Sequence, residues 1–132
     1  MSVTLDPVST ATVTTGICEI DLIHPEVVGR VLENLPSVAQ MQRVAAIFQT
    51  LADPTRARIV AALAQAELCV CDVAAIAGLS VSSASHQLKR LRDQDVVAFR
   101  KEGRMAYYRL SDPHIRQLIA DGVAHVQDRA RA

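Results

Sequence analysis

Gly78-Leu79-Ser80 constrains this chain more than any other segment, because it separates two short runs of helical period, Asp72 to Ala77 and Val81 to about Asp93. Glycine there supplies the left-handed backbone that ends a helix, and a second helix begins almost at once. In that second run Val81, Ala84, Leu88 and Leu91 fall on one face, which leaves Ser82, Ser83, Ser85, His86, Lys89 and Arg90 largely outside it. Next come Val96 to Arg100 and Met105 to Leu110, β-branched and aromatic runs joined by Lys101-Glu102-Gly103-Arg104, the pattern of a hairpin with a basic tip. Helix, glycine turn, helix, hairpin predicts a winged helix-turn-helix, mainly α with a small β-hairpin wing. In such a unit the second helix enters the major groove of double-stranded DNA and the hairpin lies beside the backbone. The candidate DNA contacts are therefore Ser82, Ser83, Ser85, His86, Lys89 and Arg90 on the helix, with Lys101 and Arg104 on the wing.

The flanking sequence supplies the rest of one domain. Residues 1–16 are rich in Thr, Ser and Val without a helical period and read as a flexible tail. From about Pro36 to Ala52, Val38, Met41, Val44, Ala45, Phe48 and Leu51 recur at three- and four-residue spacing, an amphipathic helix. Asp53-Pro54 places an N-cap before a proline and opens another helix through Ile59, Val60 and Leu63. A last helix begins at Ser111-Asp112-Pro113-His114 and runs to about Asp128. The expected division is a tail over 1–16, a DNA-binding and dimerisation domain over 17–128, and a short tail over 129–132. With 132 residues, half of them apolar and only 3% aromatic, the chain is expected to complete its core as a homodimer. It has no apolar run near the ~20 residues of a membrane span and no secretory leader pattern, so a cytoplasmic protein without membrane contact is expected.

Net charge is zero, but the charges are segregated. Residues 1–40 carry Asp6, Glu19, Asp21, Glu26 and Glu33 against Arg30, whereas 81–109 carry seven bases against Asp93, Asp95 and Glu102. A local basic footprint is what nucleic acid responds to.

Cys69 and Cys71 stand directly upstream of the helix-turn-helix. In mid-helix their side chains would diverge by about 200°, but at a helix start, with Cys69 still extended, the sulfurs can converge. Cys18, with acids nearby, is positioned in sequence to swing in as a third thiolate. Three sulfurs suit large soft ions such as Cd(II) or Pb(II), whereas Zn(II) usually takes a fourth ligand. His114 and His125 are eleven residues apart, which places them on one helix face but ~16 Å apart along the axis. They can share a metal only across a two-fold axis, where His114 and Asp112 of one chain would meet His125 and Asp128 of the other. Such an N/O set suits Zn(II). The plainer reading is two surface histidines and an N-capping aspartate.

Four segments, Leu51-Ala52-Asp53-Pro54-Thr55-Arg56, Glu67-Leu68-Cys69-Val70-Cys71-Asp72, Ser85-His86-Gln87-Leu88 and Phe99-Arg100-Lys101-Glu102-Gly103, resemble those of the ArsR/SmtB family of bacterial metal-sensing repressors, above all its cadmium-, lead- and zinc-responsive CadC-like branch. The resemblance implies a homodimer that binds an inverted-repeat operator without metal and releases it when metal binds, derepressing an efflux or resistance gene. It matches Cys69 and Cys71 to the family's paired thiolates, Cys18 to a thiolate delivered by the N-terminal arm, and Asp112, His114, His125 and Asp128 to a second site between C-terminal helices. A second arm cysteine is missing, Leu22 standing in its place, so the thiolate site is either three-sulfur or completed by Asp21, His24 or water. Asp128 replaces a frequent Glu.

Two other classes compete. A thiol-based redox repressor would use the same DNA unit but oxidise Cys18, Cys69 or Cys71; a disulfide between residues two apart is strained. An enzyme would need a nucleophile and a base together, and only Cys71 with His86 qualifies, without an oxyanion device or glycine-rich loop. The expectation is a regulator rather than an enzyme.

Overall fold

A computed structural model describes residues 22–131. Along them run α1 (Pro25–Asn34), α2 (Val38–Leu51), α3 (Pro54–Leu63), β1 (Leu68–Cys69), α4 (Val70–Ala77), α5 (Val81–Asp93), β2 (Val97–Glu102), β3 (Met105–Leu110) and α6 (Pro113–Arg131). The chain divides into two compact units between Arg43 and Val44, within α2; the expected boundary between residues 16 and 17 lies outside the described residues. Cys18 and Asp21 lie outside the described residues.

In the first unit α1 is a helix that the sequence reading did not anticipate. Its signals are Pro25 in the first turn and the stripe Val27, Val28, Val31 and Leu32. None of these is buried; Val31 and Leu32 are each about half exposed. A capping box opens α2: Ser37 Oγ accepts from the Gln40 amide at 3.1 Å while Gln40 Oε1 accepts from the Ser37 amide at 3.0 Å.

The second unit is built on α3, α4 and α5. Asp53 Oδ2 accepts from the Arg56 amide at 3.0 Å, the expected N-cap ahead of Pro54. Gly78 adopts φ 70° and closes α4. Ser80 then caps α5, its hydroxyl accepting from the Ser83 amide at 3.0 Å. Ile59, Val60 and Leu63 of α3 pack with Val73 and Ala74 of α4 and with Ala84, Leu88 and Leu91 of α5; Val96, Val97, Leu110 and Ile115 close the cluster. Val81, expected on the inner face of α5, is 49% exposed because it occupies the first turn. The α2 stripe divides in two. Ile47 and Leu51 pack on the core, whereas Val38, Met41, Val44 and Phe48 remain exposed.

The wing is a three-stranded sheet, not a lone hairpin, with order β1-β3-β2 and both pairings antiparallel. β1 contributes only Leu68 opposite Tyr108 and Cys69 opposite Tyr107. A strand this short leaves no alternation for sequence reading to detect. The fourth helix starts at Val70 instead of Asp72, so Cys71 lies inside its first turn. The sixth runs to Arg131, three residues past the expected end at Asp128, so 129–131 continue the helix instead of forming a tail. No helix among the described residues is long and apolar enough to cross a membrane.

Leu88 is wholly buried, so Leu88→Ala should cost about 2–5 kcal/mol in urea unfolding. Asp95 ends α5 in the left-handed region at φ 61°, with its own amide bonded to the Arg92 carbonyl and that of Val96 to Leu91. Replacing Asp95 with glycine relieves that backbone and should raise stability by up to about 1 kcal/mol, read as a higher urea midpoint.

Candidate nucleic-acid interface and metal centres

On α5, at 100° per residue, Ser82, Ser85, His86 and Lys89 span about 100° of the circumference opposite Ala84, Leu88 and Leu91. All four are exposed. Ser83 is half-buried at the edge of this arc, and Arg90 borders a cavity of about 460 Å³ with Gln49, Thr50, Arg56, Asp93 and Gln94. Lys89 Nζ pairs with Asp93 at 3.1 Å, an exposed i,i+4 bridge of a kind worth only about 0.3–0.5 kcal/mol and readily exchanged for a phosphate. Gln87 turns inward, its Oε1 accepting from Arg56 Nη1 at 3.1 Å, while Arg56 Nε donates to the Thr50 carbonyl at 2.8 Å. Arg56 thereby ties the end of α2 and the start of α3 to the middle of α5. No periodicity in the sequence announces this contact.

The wing tip is a two-residue turn, Gly103-Arg104, between the paired Glu102 and Met105. Glycine at φ 60° in its first position is the type II′ arrangement, whose twist matches that of the strands. Lys101 and Arg104 are exposed there, and among the described residues no ion pair engages either. At its root the wing is fastened to α5: the Arg92 guanidinium lies 4.9 Å from the centroid of Phe99, which stacks on Tyr108 at 5.5 Å.

Cys69 is the N-cap of α4 with extended backbone, φ −82° and ψ 170°, the conformation that lets the two sulfurs converge. Its side chain makes no capping hydrogen bond. Both cysteines are free thiols, Cys69 buried and Cys71 exposed, so the pair straddles the protein surface. Two soft donors fit a soft cation but do not enclose one. Among the described residues no group of three or more His, Cys, Asp or Glu side chains assembles. His24 is exposed just ahead of α1 in the first unit.

Sequence reading missed a cluster beside the thiols. Glu67 accepts from Arg100 Nε at 3.1 Å and Nη2 at 2.9 Å, and Arg100 Nη1 donates to Glu102 at 2.6 Å. The same guanidinium lies 4.9 Å from the Tyr107 centroid. Hydrogen bonding from Arg100 holds the Glu67 carboxyl below its ordinary range, against a smaller opposing effect of desolvation.

At the C-terminal helix, Asp112 Oδ1 accepts from the amides of His114 at 2.9 Å and Ile115 at 3.2 Å, so it is an N-cap. The His114 Nδ1 lies 3.4 Å from the same oxygen, with the imidazole almost wholly exposed. His125 and Asp128 are exposed farther along α6, and the structure does not bring them to His114 within one chain. Val123 and Val126 flank His125 and are also exposed.

Comparison with known proteins agrees with this architecture. Residues 53–98, from the α3 cap into β2, match the family described as bacterial regulatory protein, arsR family. The chain is 44% identical over 112 residues to a transcriptional repressor SmtB homolog of Synechocystis, covering 85% of each chain. It is 39% identical over 118 residues to a cadmium resistance transcriptional regulatory protein CadC homolog of Staphylococcus aureus, covering 89% of this chain and 97% of the relative. The solution structure of a homodimeric winged helix-turn-helix DNA-binding domain from Mycobacterium bovis superposes with a TM-score of 0.67 at 28% identity, over 74% of this chain and 93% of that one. By these likenesses the chain belongs to the ArsR/SmtB family of bacterial regulatory proteins and is CadC-like.

Proposed function

We propose that this metal-responsive transcriptional repressor binds an inverted-repeat operator as a metal-free homodimer and lets go when Cd(II) or Pb(II) engages Cys18, Cys69 and Cys71. The observation that carries the reading is where the described thiols lie: Cys69 caps α4, which packs against α5, and the same residue pairs with β3 of the wing. A metal drawn onto these sulfurs therefore acts on both DNA-contacting elements. A dimer must hold its two reading helices about one DNA turn apart, ~34 Å, so a modest change in angle forfeits contacts in at least one half-site. Metal favouring the displaced arrangement by ~2.7 kcal/mol would lower operator affinity about a hundredfold, an ordinary coupling energy. The cadmium-resistance relatives support this choice of inducer. Zn(II) is the candidate occupant of Asp112, His114, His125 and Asp128 across the dimer, where N/O donors suit it.

In this reading Ser82, Ser85 and His86 address base edges, with Ser83 at the margin, while Lys89, Arg90, Lys101 and Arg104 address phosphates. Replacing Lys101 or Arg104 with alanine should weaken all DNA sequences alike and lower the salt slope by roughly one unit, as read by fluorescence anisotropy across ionic strengths. Alanine at Ser82, Ser85, His86 and Lys89 together should abolish discrimination between operator and random DNA. Unchanged operator affinity in that variant would mean that α5 does not face the groove.

The exposed apolar residues of α2 and α6 are expected to be covered in the dimer, so sedimentation at micromolar concentration should give a dimer, and a stable monomer would overturn the assembly. For the inducer site the decisive pair is Cys69→Ser against His125→Ala. Cadmium should release operator from the histidine variant as from wild type and fail with the serine variant. The reverse result would transfer control to α6.

A further inference from the structure

We infer that Arg100, held between Glu67 and Tyr107, is the positioning residue that couples the Cys69–Cys71 segment to the wing. The inference rests on the thiolate reading of the inducer site and specifies how a metal bound there reaches the DNA-contacting hairpin. Cys69 pairs with Tyr107, and Tyr107 pairs with Arg100, so the three residues form one row across the sheet. Side chains in such a row point to the same face, and Glu67, two residues before Cys69, is set for that face by the period of an extended chain. β1 and β2 are not neighbours, since β3 lies between them. Arg100 nevertheless reaches from β2 over the Tyr107 ring to a two-point hydrogen bond with Glu67, at 3.1 and 2.9 Å.

This contact matters because the backbone attachment of β1 is slight. Only Leu68 and Cys69 pair with β3, and a ladder of two residues allows β1 to shift without carrying the hairpin along. The Glu67–Arg100 bridge removes that slack. Arg100 also precedes Lys101, the start of the basic tip, so a displacement at Cys69 passes along one row of side chains to Arg100 and from there along the β2 backbone to the tip. The bridge is partly exposed, with Glu67 at 36% and Arg100 at 45%. Exposed ion pairs contribute little to stability, so the role assigned to this one is directional rather than stabilising.

Full-length wild type, Glu67→Gln, Arg100→Met and the reversed pair Glu67→Arg with Arg100→Glu test the coupling. Cadmium binding is followed by ultraviolet thiolate-to-metal absorption, and operator affinity is measured with and without cadmium. The ratio of the two affinities cancels the general effect of a changed charge on DNA binding. Both single variants should keep the wild-type cadmium stoichiometry and bind operator without metal within about threefold of wild type once salt-corrected. Their metal-driven loss of affinity should shrink from about a hundredfold to less than tenfold. The reversed pair should recover most of the loss, which a merely structural contact would not predict. If wild type releases DNA and Glu67→Gln releases it equally, the coupling role is wrong while the thiolate reading stands. Loss of the thiolate absorption in Glu67→Gln would instead make Glu67 part of the metal site and overturn the inference. If wild type does not respond to cadmium, the thiolate reading falls and the coupling falls with it.

Discussion

Ala84, Leu88 and Leu91 have no measurable exposure, and every side chain assigned to DNA on α5 takes its direction from their burial. A 13-residue helix alone in water is marginal, so α5 is held by packing, not by intrinsic propensity. Three neighbours fix its rotation: α3 through Ile59, Val60 and Leu63, α4 through Val73 and Ala74, and the start of β2 through Val97, with Val96 just ahead of it. Its ends are fixed separately, by the Ser80 cap at the front and the left-handed Asp95 behind. Rotation by one residue would turn Ser85 and Lys89, or Ser83 and Gln87, inward in place of Ala84 and Leu88, at a cost of several kcal/mol for the unsatisfied polar groups and the lost apolar burial. The polar arc is therefore the complement of the core and needs no further device to aim it.

Much of this was legible in the sequence because it depends on local chemistry. Asp53 before Pro54, Gly78 after Ala77 and Gly103 at the hairpin turn act within a few residues of themselves, and each does what its type and position imply. Features made by residues far apart in the chain were not legible. Arg56 meeting Gln87 and Glu67 meeting Arg100 join positions 31 and 33 residues apart, and no periodicity marks them. The second strand pairing failed to register for a different reason, since two residues carry no pattern. The α2 stripe was legible as an apolar face, but not how it divides: Val44 and Phe48 share its spacing with Leu51, yet of these three only Leu51 reaches the core. Periodicity identifies an apolar face without saying whether its own chain or another covers it. Of the candidate metal residues, spacing gave the extended backbone at Cys69 and the cap at Asp112; Cys18 lies outside the described residues.

The exposed valines and methionine of α2 and the valines of α6 leave a surface that a solitary chain of this length would bear at a cost in solubility. The homodimeric relative has the same helix-turn-helix and wing, and an operator with two-fold symmetry requires two such units. Both candidate metal centres likewise fall short of a complete ligand set in the described residues of one protomer. Association would then be a condition for binding such an operator.

The chain contains two tyrosines and no tryptophan, and both tyrosines are on β3. Tyr107 is opposite Cys69 with the Arg100 guanidinium over its ring, while Tyr108 packs against Phe99 and the core. Intrinsic fluorescence of the unmodified protein therefore comes from a single strand, the one that lies between the thiol segment and the outer edge of the wing. An optical reporter is thus already built into the molecule, and any change in its emission, lifetime or polarisation originates in the middle strand of that sheet.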